Sequence, residues 1–336
     1  MPLFACLHFT HRAPIREFID NYAASLALSP MNDNIPNPLT VFLLPEAGVR
    51  GAHVRLDSAW QSIAGKSDAN GKTLELLGQA TAATALLTAH IKIDGRLSVQ
   101  LRAPGDLRSL FAECTAQGTL RGLIRSAEDA EPAQLEAIAQ DLRLAGEGAL
   151  IAITIENPSP SGELTRYQGL VPLERPTLAE AFEHYFQRSE QLSTRLLLAA
   201  DGQHASGLLL QKLPGEAAAD VDGWERAQQL FATLGAQELQ ATDAATLLHR
   251  LFHQESLQLL GQRTLDFGCS CSRERVEEML RSLGREEAEA AVAAGSNGQA
   301  QIRCEFCAER YHFSLSEVEA LFSRPAATSD APARLQ

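Results

Sequence analysis

Lysine is almost missing from this 336-residue chain, with four among 29 basic residues, and the acids number 42. The formal net charge of −13 works against nucleic-acid phosphates or an anionic membrane as default partners. Long apolar runs are also missing. No segment approaches the roughly 18 uninterrupted apolar residues that a membrane helix needs. The opening MPLFACLHFTHRAPIREF has no basic start, apolar stretch and small-residue cleavage site in that order, so export is not expected. Six cysteines in a chain this long exclude a disulfide-stapled mini-protein.

Catalytic signatures are absent too. There is no Gly-x-Ser-x-Gly elbow and no His-Glu-x-x-His pair. Gly65 to Thr73 (GKSDANGKT) looks like a phosphate loop, but it is one residue too long, with Lys66 where the first glycine belongs. It also joins two expected helices rather than a strand and a helix. Gly146-Glu147-Gly148 lacks the third glycine of a dinucleotide fingerprint. His249 and His253 stand four apart on an expected helix and could share a metal, but no carboxylate accompanies them, and amphipathic surface or core is the preferred reading. Enzymatic activity is therefore not expected.

What the chain does have is enough apolar residue, 45%, for a sizeable core. Its length suits two domains with room for a third small module. Residues 1–40 show little pattern and hold Pro30, Pro36 and Pro38, and read as an accessory extension. Residues 41–213 read as an α+β core. Val49–Leu56 alternates like a half-buried strand, Asp57 is a candidate N-cap, and Leu74–His90 is a long, mostly apolar helix. Ile91–Arg102 reads as a hairpin about Asp94-Gly95, with further strands at Gly118–Arg125, Ala149–Glu156 and Tyr167–Leu173. Thr177–Arg188 is a helix with the aromatic stripe Phe182, Tyr185 and Phe186, and a hairpin turns at Asp201-Gly202.

From Pro214 the composition shifts. Residues 214–265 read as a helical linker, Trp224–Gly235 then Ala244–Leu260, with no evident strand and no large core of its own. Residues 266–324 read as a small metal-binding domain, and 325–336 as a disordered tail.

Four of the six cysteines fall in that domain, as Cys269-Ser270-Cys271, then 32 residues, then Cys304-Glu305-Phe306-Cys307; Cys6 and Cys114 stand alone. Two close pairs in a chain without an export signal point to one tetrahedral zinc site of four thiolates rather than structural bridges. His312 would be a fifth ligand to a filled tetrahedron. A Cys-x-Cys pair can also close on itself as a small, strained and easily reduced ring. Spacing thus leaves a static staple and a redox switch open, and by itself favours the staple. Between Asp266 and Ser323 six arginines face eleven acids, the wrong sign for a phosphate reader. Ser272 is placed to cap a helix carrying Val276, Met279, Leu280 and Leu283, Gly284 to end it, and Ser316-x-x-Glu319 to form a capping box.

Together the tail motifs, Cys269 to Arg275 (CSCSRER) and Cys304-Glu305-Phe306-Cys307, with the core segments Ala89–Leu101, Arg166-Tyr167-Gln168-Gly169 and Tyr185–Leu196, resemble the 33 kDa chaperonin family, the redox-regulated heat-shock holdases. The resemblance spans about residues 41 to 324 and leaves residues 1–40 without a counterpart. It implies a cytoplasmic chaperone with an α+β core, a metastable helical linker and a small zinc domain, holding one Zn2+ per chain on Cys269, Cys271, Cys304 and Cys307 when reduced and inactive. It further implies that oxidation forms Cys269–Cys271 and Cys304–Cys307 disulfides, releases zinc and unfolds the linker. A homodimer then binds unfolding clients without ATP. This reverses the preference for a staple. The linker's apolar faces, Leu230, Phe231, Leu234 and Leu247, Leu248, Leu251, Phe252, are the candidate client-binding residues. A constitutive zinc-ribbon adaptor and a thiol–disulfide oxidoreductase are the competing readings.

Overall fold

A computed structural model of the chain describes residues 28–30, 32, 35–90, 93–159, 163–213 and 220–323. The disordered-tail reading and most of the N-terminal-extension reading fall outside those residues. The chain divides into two compact units, Met1–Gly268 and Cys269–Gln336.

The first unit is an α+β sandwich. One sheet joins β1 (Pro38–Leu44), β2 (Val49–Leu56), β8 (Thr194–Ala200), β9 (Ala205–Lys212) and β10 (Gln258–Thr264) in the order β10-β1-β2-β9-β8. The other joins β3 (Arg96–Arg102), β4 (Leu107–Thr115), β5 (Thr119–Ser126), β6 (Leu150–Pro158), β7 (Leu164–Pro172) and the short β11 (Asp266–Phe267) in the order β11-β5-β4-β3-β6-β7. After the short helix α1 (Ser58–Ala64), helix α2 (Gly71–His90) packs on strands of both sheets. Fifteen of its 20 residues are buried, as an apolar circumference demands. Its polar residues survive burial because Thr81, Thr84 and Thr88 donate to the backbone oxygens of Leu77, Ala80 and Ala85 at 2.7–2.8 Å. Inner-face residues such as Leu39, Val41, Val54, Leu97, Val99, Ile151 and Ile153 complete this core.

Several expectations need correction. The strand β1 begins inside the presumed extension, and Ser29 forms a backbone bridge to Gln262, so residues 1–40 are not simply accessory. Asp57 makes no capping hydrogen bond. The Asn37 side chain instead accepts from the backbone N–H of Asp57 and Ala59, at 2.8 and 3.1 Å. Asp94-Gly95 leads into β3 and is not the tip of a hairpin, because β3 pairs with β4 and β6. The strand β4 and helix α3 (Pro132–Gln140) were not foreseen. The aromatic helix is found as α4 (Leu178–Tyr185), with Thr177 as its cap and Phe182, Tyr185 and Phe186 buried.

The presumed linker is not wholly helical. Helices α5 (Gly223–Phe231), α6 (Ala236–Ala241) and α7 (Ala244–Phe252) are followed by β10, so the helix foreseen to Leu260 ends about eight residues early. Its short Leu257-Gln258-Leu259-Leu260 run fits either period, and the open edge of β1 settles it as a strand. The three helices cover the second face of the first sheet. Trp224, Phe231, Leu234, Leu239, Leu247, Leu248 and Phe252 pack with Phe42, Leu44, Val49, Leu208 and Leu210. Gly51 opens room there. A Cβ on it would collide with the ring of Phe42, which in turn lies 5.9 Å from that of Phe252.

The second unit comprises α8 (Arg273–Leu283), α9 (Arg285–Ala294), the hairpin β12 (Gln299–Arg303) with β13 (Arg310–Ser314), and α10 (Leu315–Ser323). Ser272 and Gly284 bound α8 as foreseen, Gly284 at φ 100°. The capping box lies two residues earlier than expected. Glu317 Oε2 accepts from the Ser314 N–H at 2.8 Å, and Ser314 Oγ from the Glu317 N–H at 3.4 Å.

Candidate metal centre

Among its described residues the second unit has a core of eight buried side chains: Val276, Leu280, Ala288, Val292, Ala300, Phe313, Val318 and Leu321. So few apolar side chains do not hold a fold of this length by themselves, and a second source of cohesion is required. The four cysteines are placed where a shared metal ion could supply it. Cys269 and Cys271 sit on the loop before α8, and Cys304 and Cys307 on the turn between β12 and β13. A tight knuckle forms that turn. The Cys304 N–H donates to Glu309 O at 2.8 Å, the Ala308 N–H to Cys304 O at 2.9 Å, and Ala308 takes φ 63°.

The four sulfurs lie within 4.8 Å of one another, all half-buried. Between the two loops, Cys271 Sγ lies 3.2 Å from Cys307 Sγ and Cys269 Sγ 3.6 Å from Cys304 Sγ. A tetrahedron of sulfurs about 2.3 Å from a central ion has edges near 3.8 Å, so the cluster fits a tetrathiolate metal. The ordinary hydrogen-bond environment already favours ionisation at one position. Burial opposes it at Cys304, but hydrogen bonds from the backbone N–H groups of Cys307 and Phe306 and from the Cys307 and Cys269 thiols together lower its pKa to about 7. Burial raises the Cys269 thiol.

Two supporting residues were missed from the sequence. The Tyr311 hydroxyl donates to Cys271 Sγ at 3.2 Å. Arg273, two residues after Cys271, stacks 4.2 Å from the Phe313 ring centroid, donates to His312 O at 3.1 Å and pairs with Glu317 at 2.7 Å. It thereby ties the first cysteine loop to the hairpin and α10. Strand alternation between Cys307 and Ser314 was the available signal for Tyr311; nothing local marks Arg273. His312 is exposed on β13 and is not among the clustered ligand groups. His249 and His253 stack at 5.8 Å on the exposed side of α7 with no third ligand gathered to them among the described residues. Cys114 is buried in the first unit, its thiol raised to about 11 by desolvation, and takes no part. Cys304-x-x-Cys307 lies in an antiparallel turn rather than at a helix N-terminus beside a parallel sheet, which removes the geometric basis of the oxidoreductase reading.

Of the seven candidate client-binding residues, six are buried on the first sheet and Leu230 is half-buried beside them. They are brought together, but covered.

Comparison with known proteins follows the same outline. The model of the family described as Hsp33 protein matches residues 37–314. A 33 kDa chaperonin of Ectopseudomonas mendocina is 42% identical over 297 residues, covering 87% of this chain and 97% of its own. One from Nitrosococcus oceani is 41% identical over 282 residues, covering 84% and 93%. The crystal structure of the 33 kDa chaperonin of Thermotoga maritima superposes with a TM-score of 0.68 at 20% identity, over 85% of this chain and 97% of that one, which shows a common fold. No helix among the described residues is long and apolar enough to cross a membrane.

Proposed function

The chain belongs to the Hsp33 protein family, and from that premise we propose that it is a redox-regulated, ATP-independent holdase whose switch is the four-cysteine cluster. Family membership supports a chaperone function. The redox control is our reading, and it rests on one observation above the others: four half-buried sulfurs lie within 4.8 Å of one another in a module whose described core is very small.

In the resting state Cys269, Cys271, Cys304 and Cys307 hold one Zn2+ as thiolates. When bound, the ion supplies cohesion; structural zinc contributes roughly 10–16 kcal/mol of apparent binding free energy in small peptides, and that energy is folding energy. A peroxide then oxidises the sulfurs. Each pair gives up two electrons, so four thiolates, two H2O2 and four protons yield two disulfides and four waters. Cys269–Cys271 and Cys304–Cys307 each close within one loop, without moving the hairpin against the loop before α8. The bridged sulfurs are no longer thiolate ligands, and the module loses its main source of stability.

The helices α5–α7 then lose a neighbouring folded segment in the chain, and the faces of Leu230, Phe231, Leu234, Leu247, Leu248, Leu251 and Phe252 become available to other unfolded chains. Zinc loss and client binding accompany homodimer formation. The resting thiols require a reducing compartment, and the cytoplasm is the proposed location. No catalytic role is assigned.

The test measures zinc content and aggregation suppression together. The reduced protein should hold one zinc per chain and leave a thermally unfolding test enzyme to aggregate, while peroxide with mild heat should release the metal and abolish the scattering without nucleotide. Retention of zinc under peroxide would favour the constitutive adaptor. Equal protection by both forms would end the redox reading.

A further inference from the structure

We propose that the outer edge of β1, occupied by β10 in the resting protein, is a docking edge of the activated chaperone that takes up extended segments of unfolded polypeptide as added strands. This rests on the redox-holdase reading above and deepens it by naming how clients are held.

The strand β10 already shows what fits the edge. It pairs antiparallel with β1 from Pro38–Thr264 to Leu43–Gln258. Yet it is a weak occupant. The register shifts between Val41 and Phe42, opposite Gly261 at φ 144°, and a bulge of this kind leaves a residue unpaired. Gln258 and Leu259 are exposed, and within the strand only Gly261 and Gln262 are buried. Its position in the chain matters as much. It follows α7, which is expected to loosen when the sulfurs are oxidised, while its other end runs into the buried Leu265 and into β11, which pairs with β5, so its release starts at the α7 end. Ser29 exchanges backbone hydrogen bonds with Gln262, and Arg263 donates to Ala116 O and Thr88 Oγ1, so the exposed end, Gln258 and Leu259 beside the bulge, is the part held by little besides its ladder to β1.

The edge left behind is well suited to unfolded chains. Leu39 and Val41 point into the sandwich core, while Phe42 and Leu44 point toward α5–α7. With the helices and β10 displaced, β1 presents unpaired N–H and C=O groups flanked by apolar side chains, the arrangement that natural sheets otherwise keep covered. Main-chain pairing is indifferent to client sequence, and alternate apolar side chains add affinity. The edge strand β7 already carries exposed Leu164 and Leu170 in the resting form, so its availability needs no oxidation. The β1 edge does.

Hydrogen exchange on the full-length chain tests this. The alternate amides of Leu39–Leu44 that face β10, and those of Gln258–Thr264, should exchange slowly in the reduced zinc form and at least tenfold faster after peroxide. Adding excess reduced, carboxymethylated α-lactalbumin, a permanently unfolded chain, should restore slow exchange in Leu39–Leu44 alone. A synthetic peptide of sequence QLLGQRT should compete with that client, and its alternately N-methylated counterpart, with the same side chains and half its N–H groups blocked, should compete at least tenfold less. If the oxidised protein suppresses aggregation while β1 stays protected, or regains no protection with client, or if both peptides compete equally, the strand-addition proposal is overturned and the holdase reading stands. If oxidation confers no suppression, the holdase reading itself fails.

Discussion

At the residue scale, Tyr311 and His53 make the sharpest predictions. Tyr311 contacts the cluster through one hydroxyl, so Tyr311→Phe should leave the fold intact and weaken zinc binding by about 10-fold to 100-fold, the usual effect of losing a hydrogen bond to a ligand. Competition with a chromogenic chelator measures it. Cys304→Ser with Cys307→Ser should abolish the site in the same assay, and Cys114→Ser should not change it. His53 lies on β2 opposite Thr40, and alternation puts it on the face of Val49 and Gly51, beneath the helices. Neither ring nitrogen has a hydrogen-bond partner among the described residues. Burial lowers its pKa from 6.5 to about 4, helped by Arg55 on its own strand and opposed by Asp243, the N-cap of α7. Above pH 6.5 the ring is neutral whether the helices are docked or not, and docking is unaffected. As pH falls toward 4 the undocked state gains a proton that the docked state refuses, so docking weakens by up to about 3 kcal/mol. Hydrogen exchange in α5–α7 should therefore quicken between pH 6.5 and 4.5, and His53→Leu should flatten that dependence.

At the element scale, the interface between α5–α7 and the first sheet is the part of the molecule most open to adjustment. Phe252 is fully buried against Phe42, so Phe252→Ala should destabilise the docked helices by roughly 3–5 kcal/mol. Exchange should rise in α5–α7 with zinc content unchanged; an equal loss of zinc would show that helices and metal module do not respond separately. A polar clasp supports the same interface. Arg226 on α5 pairs with Glu255 just after α7 at 2.6 Å and with Asp220 at 2.5 Å. Arg226 is substantially exposed, so this clasp adds less than the aromatic contact.

At the scale of the whole molecule, the residues before β1 bear on the strand that leads to the metal module. Ser29 exchanges two backbone hydrogen bonds with Gln262, at 2.8 and 2.9 Å, and the Gln262 side chain donates to Asn32 O at 2.6 Å. The family match starts at residue 37, so Ser29 and Asn32 lie outside the matched span. Removing residues 1–36 should leave zinc affinity unchanged and speed exchange of β10 in the reduced protein several-fold. No difference between truncated and full-length chains would show that the segment does not brace β10.

The cysteine cluster, the small module's helices and the central helix were all legible in the sequence, because each is marked by local signals: ligand spacing, Ser272 and Gly284 at the ends of α8, and the apolar circumference of Leu74–His90. The strand β10 was not. Leu257–Leu260 suits a helix as well as a strand, and only the unfilled edge of β1, more than 200 residues earlier in the chain, decides between them. Asn37 as the cap of α1 was hidden for the same reason, since it acts across 20 and 22 residues. The sequence by itself determined which atoms could bind a metal, while the tertiary structure decided what that metal centre is attached to: side-chain chemistry and capping are local, but strand pairing and the burial of α5–α7 depend on surfaces brought together by distant parts of the chain.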